Sequence, residues 1–495
     1  MDTLGFYDWV VFALVLGLTF FLVFLGHILP KKNSGSKGFV QNLLLGRALT
    51  MPMFVATTVS TLFGSFFGVT QFAYEKGVYN LMTQGIFWYP VYIVAAIFIV
   101  PRIRSTQVPQ TLADYLREKY GPVSEKVGAI FNFIDIVPIT YAIGLGVFIK
   151  TITGVSHTMG MCTALIFVIL YSAFGRFRAV IFSDILQCAI MYLCILFVIV
   201  YSFKLYGVEV LFTNLPQKHW TLFPESWSLT FIWGSFALAT LTDPNLYHRC
   251  FSAKSTKDAQ RGILISTVFW FIFDLMTTAG GMYARAIMPN CDPQDAYLNY
   301  ALHVLPNPLR GMMLAGIFTT VLSAIDTYLF IGSTTLFKNL LPNKHREKCF
   351  IKYLGMVIIG TLAAVLAYSF DGSIYNIWKT LGSLSTACLL APLMMGIFSK
   401  RKISDLSFAY SCIFGVCSLT FWKYLPRPST LHHIDEFYVG LTASTSGILF
   451  AHLKIIFIGL RNSLESYIIK FKTFPFDFDM DTRIPRTLPM EMETK

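Results

Sequence analysis

Stretches of about 20 apolar residues recur thirteen times along this chain, and each is long enough to cross the ~30 Å hydrocarbon layer of a bilayer as a helix. They fall near 8–28, 51–73, 80–101, 127–149, 158–174, 179–203, 227–246, 262–284, 311–337, 353–370, 374–398, 407–422 and 438–460. With 55% hydrophobic residues, 13% charged residues and 46 phenylalanines in 495 positions, the chain carries more apolar surface than a water-soluble core can bury. Only helices and closed barrels satisfy the backbone inside a bilayer, and runs of this length select helices. The expected fold is an all-α integral membrane protein of about thirteen transmembrane helices.

Charge sets the orientation. Of the 39 Lys and Arg, roughly 30 fall in every second loop, at 31–37, 102–126, 176–178, 249–261, 338–352, 400–402 and after 454. Basic loops stay inside, so the N-terminus is expected outside and the C-terminus in the cytoplasm of a cell (plasma or inner) membrane. The net charge of +12 is then a topology signal, and nucleic acid is not expected as a partner. Met1-Asp2-Thr3 offers no basic n-region, so the first span reads as a membrane helix rather than a cleaved leader.

Against this apolar background a few polar groups stand out. Ser323-Ala324-Ile325-Asp326-Thr327 lies at hydrocarbon depth, and Asp135, Asp184, Asp243 and Asp274 lie in or at the ends of other spans. Ionisable groups are expensive there, and function is the default reading. The nine cysteines and nine histidines show no ligand spacing, and Cys291 alone falls in an outer loop, so neither a disulfide nor a metal cluster is expected. P-loop, kinase and GxSxG patterns are missing, and no polar stretch is long enough for a separate core. A nucleotide-driven pump or a serine hydrolase is therefore not expected, which leaves transporter, channel, receptor or intramembrane enzyme.

Four segments resemble the sodium/solute symporter family. Phe54 to Gly68 puts Thr57, Thr58, Ser60, Thr61, Ser65 and Gly64 in mid-span, followed by Tyr74-Glu-Lys-Gly77, and is similar to that family's broken first core helix. Thr111-Leu-Ala-Asp-Tyr-Leu-Arg-Glu-Lys-Tyr-Gly121 resembles its T-L-x-D-Y-L-x-x-R-[FY]-G inner loop. Phe182-Ser-Asp-Ile-Leu-Gln187 resembles T-D-x-[IL]-Q of its fifth core helix, and Asp243 to Arg261 resembles its inner loop around Q-R-x-x-[AS]-A-K-[SD]. His248 stands where that pattern has Gln, and Ala324 where the family usually has Ser or Thr.

The resemblance implies a ten-helix core of two inverted five-helix repeats, one helix before it and two after. The boundaries would be a first helix and linker at 1–50, repeats at 51–203 and 204–398, two added helices at 399–460 and a cytoplasmic tail at 461–495. Carried over by gapless counting, the sodium site falls on Thr58 and Thr61 by their carbonyls, Thr320 by its carbonyl and Ser323 by its hydroxyl, with Asp184 supporting from across the bundle. Positions 320, 323 and 324 share one helix face, and sodium wants oxygen ligands. Asp326 is a candidate second cation or proton site, and Ser60, Ser65 and Gln84 fall in the substrate region. Ser and Thr in membrane helices also bond the i−4 carbonyl or join helices, and for Ser60, Ser65 and Thr327 both readings stand.

The function implied is symport of a small polar organic solute with sodium, without an enzymatic cofactor. Ser60, Ser65 and Gln84 do not match the Asn, Gln and Glu of sugar-type members, so a sugar is disfavoured. The alternatives are proton-coupled or uncoupled transport on the same fold, or a solute sensor, for which the tail after Leu460 is short.

Overall fold

The computed structural model of the protein describes residues 4–28, 44–104, 109–174, 177–225, 227–341, 349–370, 377–399, 403–426, 431 and 434–472. Among them every regular element is helical, with one isolated parallel bridge between Leu49 and Ala253. The chain divides into a compact unit, Met1–Ile448, and a second, Leu449–Lys495, described as helix through Lys472.

The principal helices are α1 (Phe6–Ile28), α2 (Met51–Phe63), α3 (Phe66–Lys76), α4 (Leu81–Ile103), α5 (Leu112–Lys119), α6 (Pro122–Ile136), α7 (Ile139–Thr153), α8 (His157–Phe174) and α9 (Phe177–Tyr206). They are followed by α10 (Trp227–Phe236), α11 (Pro244–Ser252), α12 (Thr256–Ile287), α13 (Leu309–Thr335), α14 (Cys349–Ser369), α15 (Ser383–Phe398), α16 (Asp405–Tyr424) and α17 (Glu436–Lys472). Among the described residues eight helices are long and apolar enough to cross a membrane, and nine if α2 and α3, bent by 58°, form one span. His157–Ser172 and Tyr353–Ser369 are apolar but shorter.

Three expected spans are broken, each for a local reason. Gly64 and Ser65 part α2 from α3, and Gly64 must be small: a Cβ there would stand 2.4 Å from the Ala324 Cβ and 2.8 Å from the Tyr141 ring. Pro138, which donates no backbone hydrogen bond, separates α6 from α7. The expected span at 227–246 is not one helix. It stops at Phe236, passes through a tight turn at Ala237–Leu241 and restarts at Asp243, whose Oδ1 accepts from the Asn245 amide at 2.9 Å while Pro244 occupies the first turn.

That restart corrects the expected position of Arg249 and His248 in an inner loop. Both lie on α11, where every residue is buried. The helix turns inward because its only guanidinium finds oxygen partners on α2.

α13 forms the centre of the unit. Its most apolar window is 94% buried against 17% for α1, so its hydroxyls and Asp326 are shielded from lipid. α13 packs against α1, α2, α9 and α14, and α2 packs against α9, α12 and α13. Near the C-terminal end of α13, Thr111 and Asp114 form a capping box that starts α5 within the segment Thr111–Gly121. Asn339 joins that helix to the end of α13, its Nδ2 donating to Asp114 at 3.0 Å and to Glu125 at 2.9 Å, and Lys338 pairs with Asp114. At the other end Gly77, with φ +62°, closes α3 where a Cβ would meet the His219 backbone oxygen at 2.3 Å.

Candidate functional site

Asp184 on α9 is fully buried and accepts two hydrogen bonds, from Thr57 Oγ1 on α2 and Ser323 Oγ on α13. One carboxylate thus ties together the helix that breaks and the central helix. The sequence pointed to Asp184 and Ser323; Thr57, a residue before the expected Thr58, is the donor it missed. Its signal was present, since Thr57 and Thr61 share one helix face.

The other expected ion ligands are placed close by but differently engaged. The Thr58 hydroxyl is buried and has no hydrogen-bond partner among the described residues. Thr61 donates to the Thr57 carbonyl at 2.9 Å and accepts from Arg249 Nη2 at 2.5 Å, while its own carbonyl accepts from the Gly64 amide at 3.2 Å. The Thr320 hydroxyl donates to Gly316 at 2.7 Å, and Asp326 is buried one turn beyond Ser323. Arg249 also donates to the Thr57 carbonyl at 3.4 Å and lies within electrostatic reach of Asp184 and Asp243. A fixed cation therefore neighbours the oxygens expected to hold a mobile one.

Beside this cluster lies a cavity of about 250 Å3 lined in part by Ser65 and Gln84. Gln84 sits in a π-helical turn, Leu81–Ile86, a local widening that recurs at functional sites. Ser60 is not among the lining residues; it is buried and donates to the Thr57 carbonyl at 3.4 Å. Below is a smaller cavity of about 40 Å3 lined by Thr58, Thr61, Asn245 and Arg249. Tyr92, Tyr141, Trp270 and Tyr328 border both. Tyr92 and Trp270 pack with ring centroids 4.3 Å apart, and the Tyr141 hydroxyl donates to that of Tyr328 at 3.2 Å, so these four rings floor the upper space.

The arrangement has the parts of a solute carrier: a partly open cavity lined by aromatic and polar side chains, set against a buried carboxylate clamp between an interrupted and a continuous helix. The profile of the Sodium:solute symporter family matches residues 43–409. The chain belongs to that family. The sodium/pantothenate symporter of Escherichia coli (strain K12) is 24% identical over 460 residues, covering 85% of this chain and 93% of that protein. The high-affinity proline transporter of Bacillus subtilis (strain 168) is 21% identical over 389 residues, covering 72% and 80%. Among solved structures, the substrate-bound outward-open state of a Na+-coupled sialic acid symporter superposes with a TM-score of 0.71 at 15% identity, covering 90% of this chain and 96% of that one. At that identity the likeness shows that this symporter-family member shares the fold.

Proposed function

We propose that this protein is a secondary active transporter that moves a small polar organic solute with sodium by alternating access. The observation that carries the reading is Asp184, buried and held by hydroxyls from both α2 and α13 beside a floored cavity. Sodium, as cargo, would use the oxygens of Thr58, Thr61, Thr320 and Ser323, with Asp184 fixing Ser323. The Thr58 hydroxyl, buried without a hydrogen-bond partner among the described residues, adds a spare oxygen beside the Thr58 carbonyl read as a ligand. Pantothenate and proline, named for the relatives, support a small organic solute for this chain.

In this reading sodium binding favours the state in which α2 and α13 close on it, and the differential affinity of the two states couples ion to solute. One cation crossing ~100 mV gains about 2.3 kcal/mol. The core is read as two inverted five-helix repeats at 51–203 and 204–398, with the N-terminus outside and the C-terminus in the cytoplasm. Reporter fusions at Arg104 and Lys218 test that orientation, the first reading inside and the second outside. The function is tested by uptake of a solute panel into proteoliposomes with and without an inward sodium gradient. Sodium-driven accumulation is expected; uptake that ignores sodium but follows a proton gradient and vanishes in Asp326→Asn would make the proton the coupling ion.

A further inference from the structure

Asp135, Asp243 and Asp274 all line the 250 Å3 cavity. Asp243 caps α11 and has Arg249 as electrostatic counterpart. The other two have neutral donors: Ser385 Oγ donates to Asp135 at 2.6 Å, and the Tyr89 hydroxyl donates to Asp274 at 2.6 Å. None of the ion pairs among the described residues involves either. Asp135 occupies the last turn of α6, beside the break at Pro138, and Asp274 is 6% exposed in the middle of α12. A carboxylate in such surroundings is costly without a counter-charge, and two in one cavity more so.

The remaining wall selects the kind of cation. Nine of the lining residues are aromatic, Trp88, Trp233 and Trp270 among them. Ring faces attract positive charge, Trp most strongly, but present no lone pairs to replace the oxygen shell of a small inorganic ion. A diffuse organic ammonium fits that surface. The volume, just under the ~300–1,000 Å3 of drug-sized sites, suits a small molecule.

We propose that the solute of this cavity is a small organic ammonium ion, its charge answered by Asp135 and Asp274 and its apolar part by the aromatic wall. The inference rests on the reading of this cavity as the solute site.

The test is titration of the full-length protein in nanodiscs, read by intrinsic tryptophan fluorescence at neutral pH. The probes are choline, ethanolamine, the neutral isostere of choline in which tert-butyl replaces trimethylammonium, and tert-butylacetate. Saturable quenching by at least one ammonium is expected, with the neutral isostere at least about tenfold weaker and the carboxylate inert. Asp135→Asn and Asp274→Asn, made separately, should each weaken the ammonium about tenfold while leaving the neutral isostere within threefold. Equal or tighter binding of the neutral or anionic probe, or no quenching by either ammonium, overturns the inference. Uptake separates the two readings. If sodium drives entry of another solute while no ammonium binds, symport stands and the ammonium assignment falls; ammonium binding without sodium-driven entry has the reverse meaning.

Discussion

Replacing Ser323 by Ala removes one of the two donors to a carboxylate that is fully buried between α2, α9 and α13. A hydrogen bond to a charged group contributes about 1.5–3 kcal/mol, which is roughly a 10- to 150-fold change in an equilibrium constant. Because the same hydroxyl is a proposed sodium ligand, the loss should fall on ion affinity, and the half-saturating sodium concentration should rise within that range. Thr57→Val removes the other donor while keeping the β-branched shape and leaving the Thr57 carbonyl to Arg249. If Asp184 acts as one clamp, the double variant should lose less than the sum of the two singles. The assay is sodium-dependent thermal stabilisation of purified protein, with potassium holding ionic strength constant, paired with sodium activation of uptake. Stabilisation follows RT ln(1 + [L]/Kd), so a weaker site moves the whole curve to higher sodium. Should both single variants, at normal abundance, shift the curve by less than threefold, the Asp184 clamp is no part of the ion site.

Four other outcomes are expected. Gly64→Ala should lower the melting temperature, at a cost of about 1–3 kcal/mol from overpacking against Ala324 and Tyr141, and an unchanged melting temperature would contradict the close approach. Arg249→Met should depress stability by about 3–5 kcal/mol by leaving its anionic neighbours uncompensated, whereas Arg249→Lys, keeping the charge, should lose clearly less in the same melting assay. Asn339→Leu should cost about 1–3 kcal/mol by stranding the Glu125 and Asp114 oxygens near the C-terminal end of α13, read as accelerated proteolysis there. The Lys76 ammonium, donating at 2.8 Å, holds the Glu225 carboxyl below its ordinary value, so the pair's contribution is full above the usual glutamate range and is lost as pH falls through the depressed value. Both side chains are over a third exposed, so Lys76→Met should cost at most ~1 kcal/mol at neutral pH and nothing in melting curves near pH 3.

Much of the fold was legible because lipid leaves few choices: long apolar runs must be helices, and their basic ends are consistent with one orientation. Gly64 and the Asp243-Pro244 pair also carried interruption chemistry, since each weakens or caps a helix locally, whereas the break at Pro138 falls inside a span, 127–149, expected to run on. What hydropathy could not reveal was which way a polar helix faces. Arg249 reads as a basic loop residue in any charge count, and its burial depends on oxygens of Thr57 and Thr61 nearly two hundred positions away. The site was legible in the same proportion. Asp184 and Ser323 stood out as costly groups with spacing on their side, but the choice between Thr57 and Thr58 is a rotation of about 100° around a helix and needs the partner's position. Ser60, Ser65 and Gln84 came from counting along one helix and its neighbour; Ser65 and Gln84 line the cavity and Ser60 turns into the packing. Asp135 and Asp274 were visible only as isolated aspartates, because the cavity that joins them is made by helices far apart in sequence.

The four-ring floor determines how tightly such a carrier holds the electrical gradient while idle. The 40 Å3 space beneath it has room for about three waters, at the ~10–15 Å3 each requires. An ion slipping through unaccompanied would exchange its hydration shell for ring faces, those few waters and the oxygens of Asp243, Thr58 and Thr61, with Arg249 offsetting the charge of Asp243. Tyr92, Tyr141, Trp270 and Tyr328 thus leave little room for a hydrated ion between the two spaces, and the same rings that shape the chamber raise the cost of an uncoupled passage.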